Sequence, residues 1–211
     1  RGGTMARLGT ILVDLNANRR SGTDNRTNLE FYQEEVERRC GICLSDPLIY
    51  EAFTYYEREV LPYKNDDIIN AHAMGAHAAL QAVQDAGLRY ALFTNPSFPQ
   101  GAIECRMGWG DLADAPFELV THMGNATRCK PDATYYLEQL QVMGLEPHEV
   151  LMVGNDPKRD FPSPACGIQT AYVGQGKPSR ATWRGTMEDF AHDFNAVIEA
   201  FYEHQIANEL S

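Results

Sequence analysis

Apolar residues follow two patterns along this chain. Five short runs, "TILVDL" (10–15), "YALFTN" (90–95), "FELVTH" (117–122), "EVLMVGN" (149–155) and "QTAYVG" (169–174), are rich in Val, Ile, Leu, Phe or Tyr, and none alternates cleanly with polar residues. Continuous runs of this length predict strands buried on both faces, as in a parallel sheet. Other segments space their apolar positions at three and four. "AHAALQAVQDAG" closes on Gly87, a helix C-cap, and "PDATYYLEQLQVMG" starts at Pro131 and closes on Gly144. "TMEDFAHDFNAVIEAFYEHQ" predicts an amphipathic helix near the end of the chain. Alternating strands and helices predict an α/β fold with a doubly wound parallel sheet.

Between Arg20 and about Asn70 the alternation stops. "NLEFYQEEVERRC" and "PLIYEAFTYYEREV" predict helices, the second ended by Pro62. The expected organisation is a core of residues 5–19 and 70–211 with a helical cap, residues 20–69, inserted after the first strand. Arg1–Thr4, ahead of Met5, resemble an appended remnant and are set aside.

The 211 residues suffice to bury a core without disulfides or metal staples. A formal net charge of -11 repels phosphate backbones, so nucleic acid is not an expected partner. No apolar run is long enough to span a bilayer, and "RGGTMARLG" lacks the apolar middle of a signal peptide. Five scattered cysteines fit a reducing, cytoplasmic setting. Oligomeric state is left open.

In open α/β sheets ligands bind at the carboxyl ends of the strands. The predicted ends carry Asp14, then Thr94 and Asn95, then Asp156 and Asp160 in "GNDPKRD", while Lys130 precedes Pro131 in a later turn. Convergent carboxylates suit a hard cation such as Mg2+. A lysine and a threonine beside them suit the oxygens of a phosphoryl group.

These motifs, in this order, resemble those of the haloacid dehalogenase (HAD) superfamily of hydrolases. "ILVDLNAN" stands where the family has a strand followed by DxDGT. "LFTN" is similar to its second motif, Lys130 in "CKPDATYY" to its third and "VLMVGNDPKRD" to its acidic fourth. The resemblance runs from about Leu8 to Gly174. It implies a Mg2+-dependent phosphatase acting on a small phosphorylated substrate, with Asp14 the nucleophile that forms an aspartyl-phosphate. Mg2+ would be held by Asp14, the main-chain carbonyl of Asn16 and Asp156, or by the amide oxygen of Asn155 in place of Asp156. Asp160 would orient the site, and Thr94, Asn95 and Lys130 would bind phosphoryl oxygens.

The first motif departs from the pattern. Asn16 replaces the Asp that serves as general acid and base, a loss that costs about 10²–10⁴-fold in rate. Ala17 replaces Gly and Asn18 replaces Thr. Three expectations follow: a phosphatase of reduced activity; another reaction of the family, on C–P or C–halogen bonds; or a binding or regulatory protein that has lost catalysis. Other features are read as structural. "CGIC" (Cys40, Cys43) lacks a second ligand pair, His72 and His77 are spaced poorly for one metal, and "GQGK" is a loop rather than a P-loop. The aromatic "YEAFTYYERE" fits packing between cap helices, with selection of substrate as the functional alternative.

Overall fold

The computed structural model describes residues 2–64, 73–178 and 180–209. His72 and the expected boundary at 69–70 lie outside them. The described chain divides into two compact units. The first comprises Arg1–His72, Leu92–Pro116 and Val120–Cys129; the second comprises Ala73–Ala91, Phe117–Leu119 and Lys130–Ser211.

The second unit holds a parallel sheet, with β1 (Leu151–Gly154), β2 (Gln169–Val173) and β3 (Trp183–Gly185) in the order β1-β2-β3. Leu151 faces Gln169 in register and Ala171 faces Trp183. The runs at 149–155 and 169–174 thus form strands as expected, whereas three-residue β3 is too short to leave a pattern. Helices α4 (Ala76–Asp85), α7 (Met187–His192) and α8 (Phe194–Glu209) belong to this unit, as does α6 (Ala133–Met143). Ala79, Ala171, Phe190, Phe194 and Val197 form its buried core, with Leu151, Val153 and Trp183 packed on it. The expected single helix over 186–205 breaks at Asp193. A capping box of Thr186 and Asp189 starts α7, and the amide of Asp193 closes it on the Asp189 carbonyl.

In the first unit, α1 (Gly2–Asn16) contradicts the strand expected at 10–15 and takes in Gly2, Gly3 and Thr4 of the residues set aside before Met5. Leu8, Ile11, Leu12 and Leu15 recur at three and four, the spacing of one helical face. Ile11 and Leu15 are buried while Val13 is exposed. Leu15 packs with Phe31, Met123 and Cys129. Phe31 lies on α2 (Asn28–Cys40), whose bounds match the run read from sequence because Thr27 and Glu30 form a capping box and Gly41 closes the helix in a left-handed turn. Helix α3 (Pro47–Tyr55) buries none of its residues; a π-turn follows at Tyr56–Val60 and a 3-10 turn at Leu61–Lys64. The latter runs through Pro62, so this proline does not end the helical block. Helix α5 (Gln100–Trp109) has no counterpart in the sequence reading. The runs at 90–95 and 117–122 form no continuous ladder among the described residues; they meet in one isolated parallel bridge, Leu92 to Val120, with the Glu118 amide on the Tyr90 carbonyl and the Thr121 amide on the Leu92 carbonyl.

The loop ahead of α2 turns on a charge pair. Arg26 donates from Nε to Asp24 Oδ1 (2.9 Å) and from Nη2 to Oδ2 (2.5 Å), and its amide adds a third bond to the same carboxylate. The Arg26 guanidinium holds the Asp24 carboxyl down at about 2, from an ordinary 3.8, against the opposing effect of burial. A depressed acid stabilises the fold above its unfolded value and loses that contribution as pH falls through its folded one. Urea titrations should therefore show stability declining from about pH 4 to about pH 2, and Asp24→Asn should flatten that decline. An unchanged slope in the variant would assign acid sensitivity to other groups.

Candidate functional site

Residues singled out from sequence occur in both units. In the first unit Asp14 stands on α1, two residues from its end, and not at the end of a strand. Arg39 Nη1 donates to Asp14 Oδ2 at 2.7 Å and Arg19 Nη1 to Oδ1 at 3.2 Å. Arg39 chiefly, then Arg19, hold this carboxyl below its ordinary value, with burial opposing. Arg39 is itself shared with Glu35, so Asp14 is one member of a charge chain on α1 and α2.

Asn16 ends the same helix. Its Nδ2 donates to the Leu12 carbonyl at 2.8 Å, and its Oδ1 accepts from Asn95 Nδ2. Both functions of this amide are engaged in fixing a helix end. Asn18 takes up a left-handed turn at φ 50, and its side chain pairs with Cys129 in both directions, accepting from the amide at 2.7 Å and donating to the carbonyl at 2.9 Å. Thr94 and Thr121 lock the chain beyond the Leu92 bridge. The Thr94 amide donates to Thr121 Oγ1 at 2.8 Å, and the Thr94 hydroxyl donates to the Thr121 carbonyl at 2.7 Å. Side chains thereby take the place of a ladder, which explains why the run at 90–95 does not extend as a strand.

The second unit brings Lys130, Asn155, Asp156 and Asp160 together just past β1. Lys130, 6% exposed, donates from Nζ to Asp160 Oδ1 at 2.8 Å. The other carboxylate oxygen accepts the amides of Asn155 (3.1 Å) and Asp156 (2.9 Å). The 155–160 loop closes on itself, since the Asp156 carbonyl accepts the amides of Arg159 and Asp160. Burial pushes the Lys130 ammonium below its ordinary value, and Asp160 opposes that shift. Asp156 keeps its side chain half-exposed, with Arg159 Nε 3.9 Å from Oδ2 and the Lys158 amide on Oδ1. Two residues at this corner escaped the sequence reading. Gly154 ends β1 against the Asp160 side chain, and Tyr136 of α6 donates its hydroxyl to the Arg159 and Asp160 carbonyls. A tyrosine on an apolar helical stripe carries no signal that separates this role from packing.

The donors do not fit the Mg2+ site that the sequence implied. The oxygens of Asp14 are turned to guanidinium groups and those of Asp160 to an ammonium and two amides. Among the described residues no three Asp, Glu, His or Cys side chains are grouped to hold a metal. Cys40, Cys43, Cys105 and Cys166 are in no disulfide among the described residues. Among the described residues no helix is long and apolar enough to cross a membrane.

A model of the haloacid dehalogenase-like hydrolase family matches residues 24–166, a span that begins after Asp14 and Asn16. A search of curated proteins found no match. Among solved structures, the chain is similar to an HAD phosphatase from Thermococcus onnurineus (18% identity, 92% of this chain and 89% of that one, TM-score 0.50). It is similar also to β-phosphoglucomutase from Clostridium difficile (14%, 96% and 93%, TM-score 0.56). A third is an HAD family hydrolase from Deinococcus radiodurans R1 with bound phosphate and sodium (16%, 95% and 90%, TM-score 0.51). These likenesses establish the α/β fold with its parallel sheet and helices.

Proposed function

This chain belongs to the haloacid dehalogenase-like hydrolase family, and on that premise we propose that it binds a small phosphorylated substrate at the Lys130–Asp160 corner, without a nucleophile at Asp14. One observation carries the reading. The buried ammonium of Lys130 is assembled at the carboxyl end of β1, while Asp14 is built into a helix and neutralised by two arginines. The ends of parallel strands are where α/β sheets take their ligands, and lysine binds phosphate as a point charge. Phosphate bound in the D. radiodurans hydrolase supports that ligand class. The core-and-cap organisation, with residues 20–69 as the cap, is part of the same proposal.

The division of labour follows from the contacts. Lys130 supplies positive charge to phosphoryl oxygens, and Asp160 holds the ammonium in place and offsets its charge when the site is empty. Asp156, half-exposed beside them, excludes a second anion. Asn16 cannot deliver a proton, because an amide does not exchange one usefully near neutral pH and both of its ends are engaged. Ester cleavage through an aspartyl-phosphate at position 14 is therefore outside this reading, and no step is assigned to Mg2+.

The test uses p-nitrophenyl phosphate hydrolysis, with and without Mg2+, alongside calorimetric titration with inorganic phosphate. Asp14→Asn should leave any hydrolysis unchanged and lower stability by less than about 1 kcal/mol, the usual worth of partly exposed ion pairs. Lys130→Met should abolish phosphate binding. A drop of about a hundredfold or more in hydrolysis on Asp14→Asn would restore that residue as nucleophile and sink the proposal.

A further inference from the structure

We propose that Tyr136 is a positioning residue of the phosphate-binding corner: its hydroxyl fixes the main chain at residues 159–160, and so aims the Asp160 carboxylate at Lys130. The inference rests on the function proposed above and gives a role to a tyrosine that the resemblance, which drew only Lys130 from "CKPDATYY", left without one.

Tyr136 is fully buried on α6, and Tyr135 packs against its ring edge-on at 5.0 Å. Its hydroxyl lies 2.8 Å from the Arg159 carbonyl and 2.9 Å from the Asp160 carbonyl. One hydrogen thus serves two acceptors that end the 155–160 loop. Burial, with Asp160 adding to it, pushes this phenol far above its ordinary value, so it remains a donor at any working pH.

The side chain of Asp160 is held from its other end. Lys130 takes one oxygen, and the amides of Asn155 and Asp156 take the other. Gly154 abuts its Cβ and Cγ so closely that no other side chain would fit there. The carboxylate therefore has one seat, and the phenol fixes the backbone from which it springs. Helix α6 starts three residues after Lys130, with Asp132 as its N-cap. The lysine and the tyrosine thus issue from one short stretch of chain and grip the same loop at its carboxylate and at its carbonyls.

Tyr136→Phe removes only the hydroxyl and keeps the packed ring. Inorganic phosphate is the probe, titrated by calorimetry against wild type, Tyr136→Phe, Lys130→Met and Val197→Ala. Val197 is buried in the core around Phe190 and controls for destabilisation alone. Tyr136→Phe should weaken phosphate binding by about threefold to tenfold, the range set by one lost hydrogen bond. It should also speed amide hydrogen exchange at Asn155 and Asp156, whereas Val197→Ala should leave phosphate affinity unchanged at temperatures well below melting. Wild-type affinity in Tyr136→Phe, with binding lost in Lys130→Met, would overturn the positioning role and leave the proposed function standing. An equal loss of affinity in Val197→Ala would also overturn it, reducing Tyr136 to general support of the fold. Equal binding by wild type and Lys130→Met, or no binding by wild type, would overturn the function and this inference together.

Discussion

Gly154→Ala should destabilise the protein by about 1–3 kcal/mol, the range for overpacking a filled interior, and should weaken phosphate binding at least about tenfold. A Cβ at this position would lie 2.4 Å from Asp160 Cβ and 2.6 Å from both Cγ and Oδ2. Neither side can yield easily. Gly154 is paired in register with Tyr172 on β2, and the carboxylate is held by Lys130 and two amides. The added methyl group must shift the strand end or expel the carboxylate, and either outcome breaks the Lys130 pair. Urea denaturation and phosphate titration of the same variant would decide it. Stability within about 0.5 kcal/mol of wild type, with unaltered affinity, would show that this close approach is dispensable.

The ion pair itself should respond unequally to loss of its two ends. The Asp160 side chain is 16% exposed and has two amide donors besides Lys130, whereas the Lys130 side chain is 4% exposed. Asp160→Asn removes the charge that opposes the enclosed ammonium and should cost about 3–5 kcal/mol, as breaking a buried pair does. Lys130→Met puts an apolar chain in an enclosed place and should cost less, and the double variant should regain part of what Asp160→Asn loses. The pH dependence has a definite sign. Burial already lowers the affinity of Lys130 for its proton, and removing Asp160 lowers it further. The unfolded chain then holds more protons than the folded one, so the stability of Asp160→Asn should rise with pH towards about 10, more steeply than that of wild type. A larger penalty for Lys130→Met than for Asp160→Asn would mean that the carboxylate, not the ammonium, is the group needing its partner.

Some of this was legible from sequence because local chemistry and tertiary context agree. Helix α2 carries a capping box at one end and a left-handed glycine at the other, and α6 ends at Gly144 in the same way. The run that became β2 is buried and the one that became β1 is half-buried, and tertiary pairing did not override either. Residues 10–15 misled because an unbroken apolar run contains a helical subset, and only the choice between Val13 and Leu15 for the interior separates the two readings. That one error moved Asp14 from a strand end to a helix face, and nothing near it in sequence announces Arg39 as its partner. The individual residues Lys130 and Asp160 were nameable through resemblance. Their contact depends on the turn of the 155–160 loop, and the seats of Gly154 and Tyr136 depend on that contact.

The short connections of the sheet bear on how readily this corner can form. Strand β1 meets β2 with Leu151 opposite Gln169, and β2 meets β3 with Ala171 opposite Trp183. Both crossovers are brief, and the only helical turn between β1 and β2 is the 3-10 segment at Pro164–Cys166. Closing such short spans costs less chain entropy than closing long ones. The Asp160 loop is spliced into the first of these crossovers, so pairing of β1 with β2 draws its ends together. The carboxylate that receives Lys130 is thereby placed in the part of the sheet whose assembly asks least of the rest of the chain.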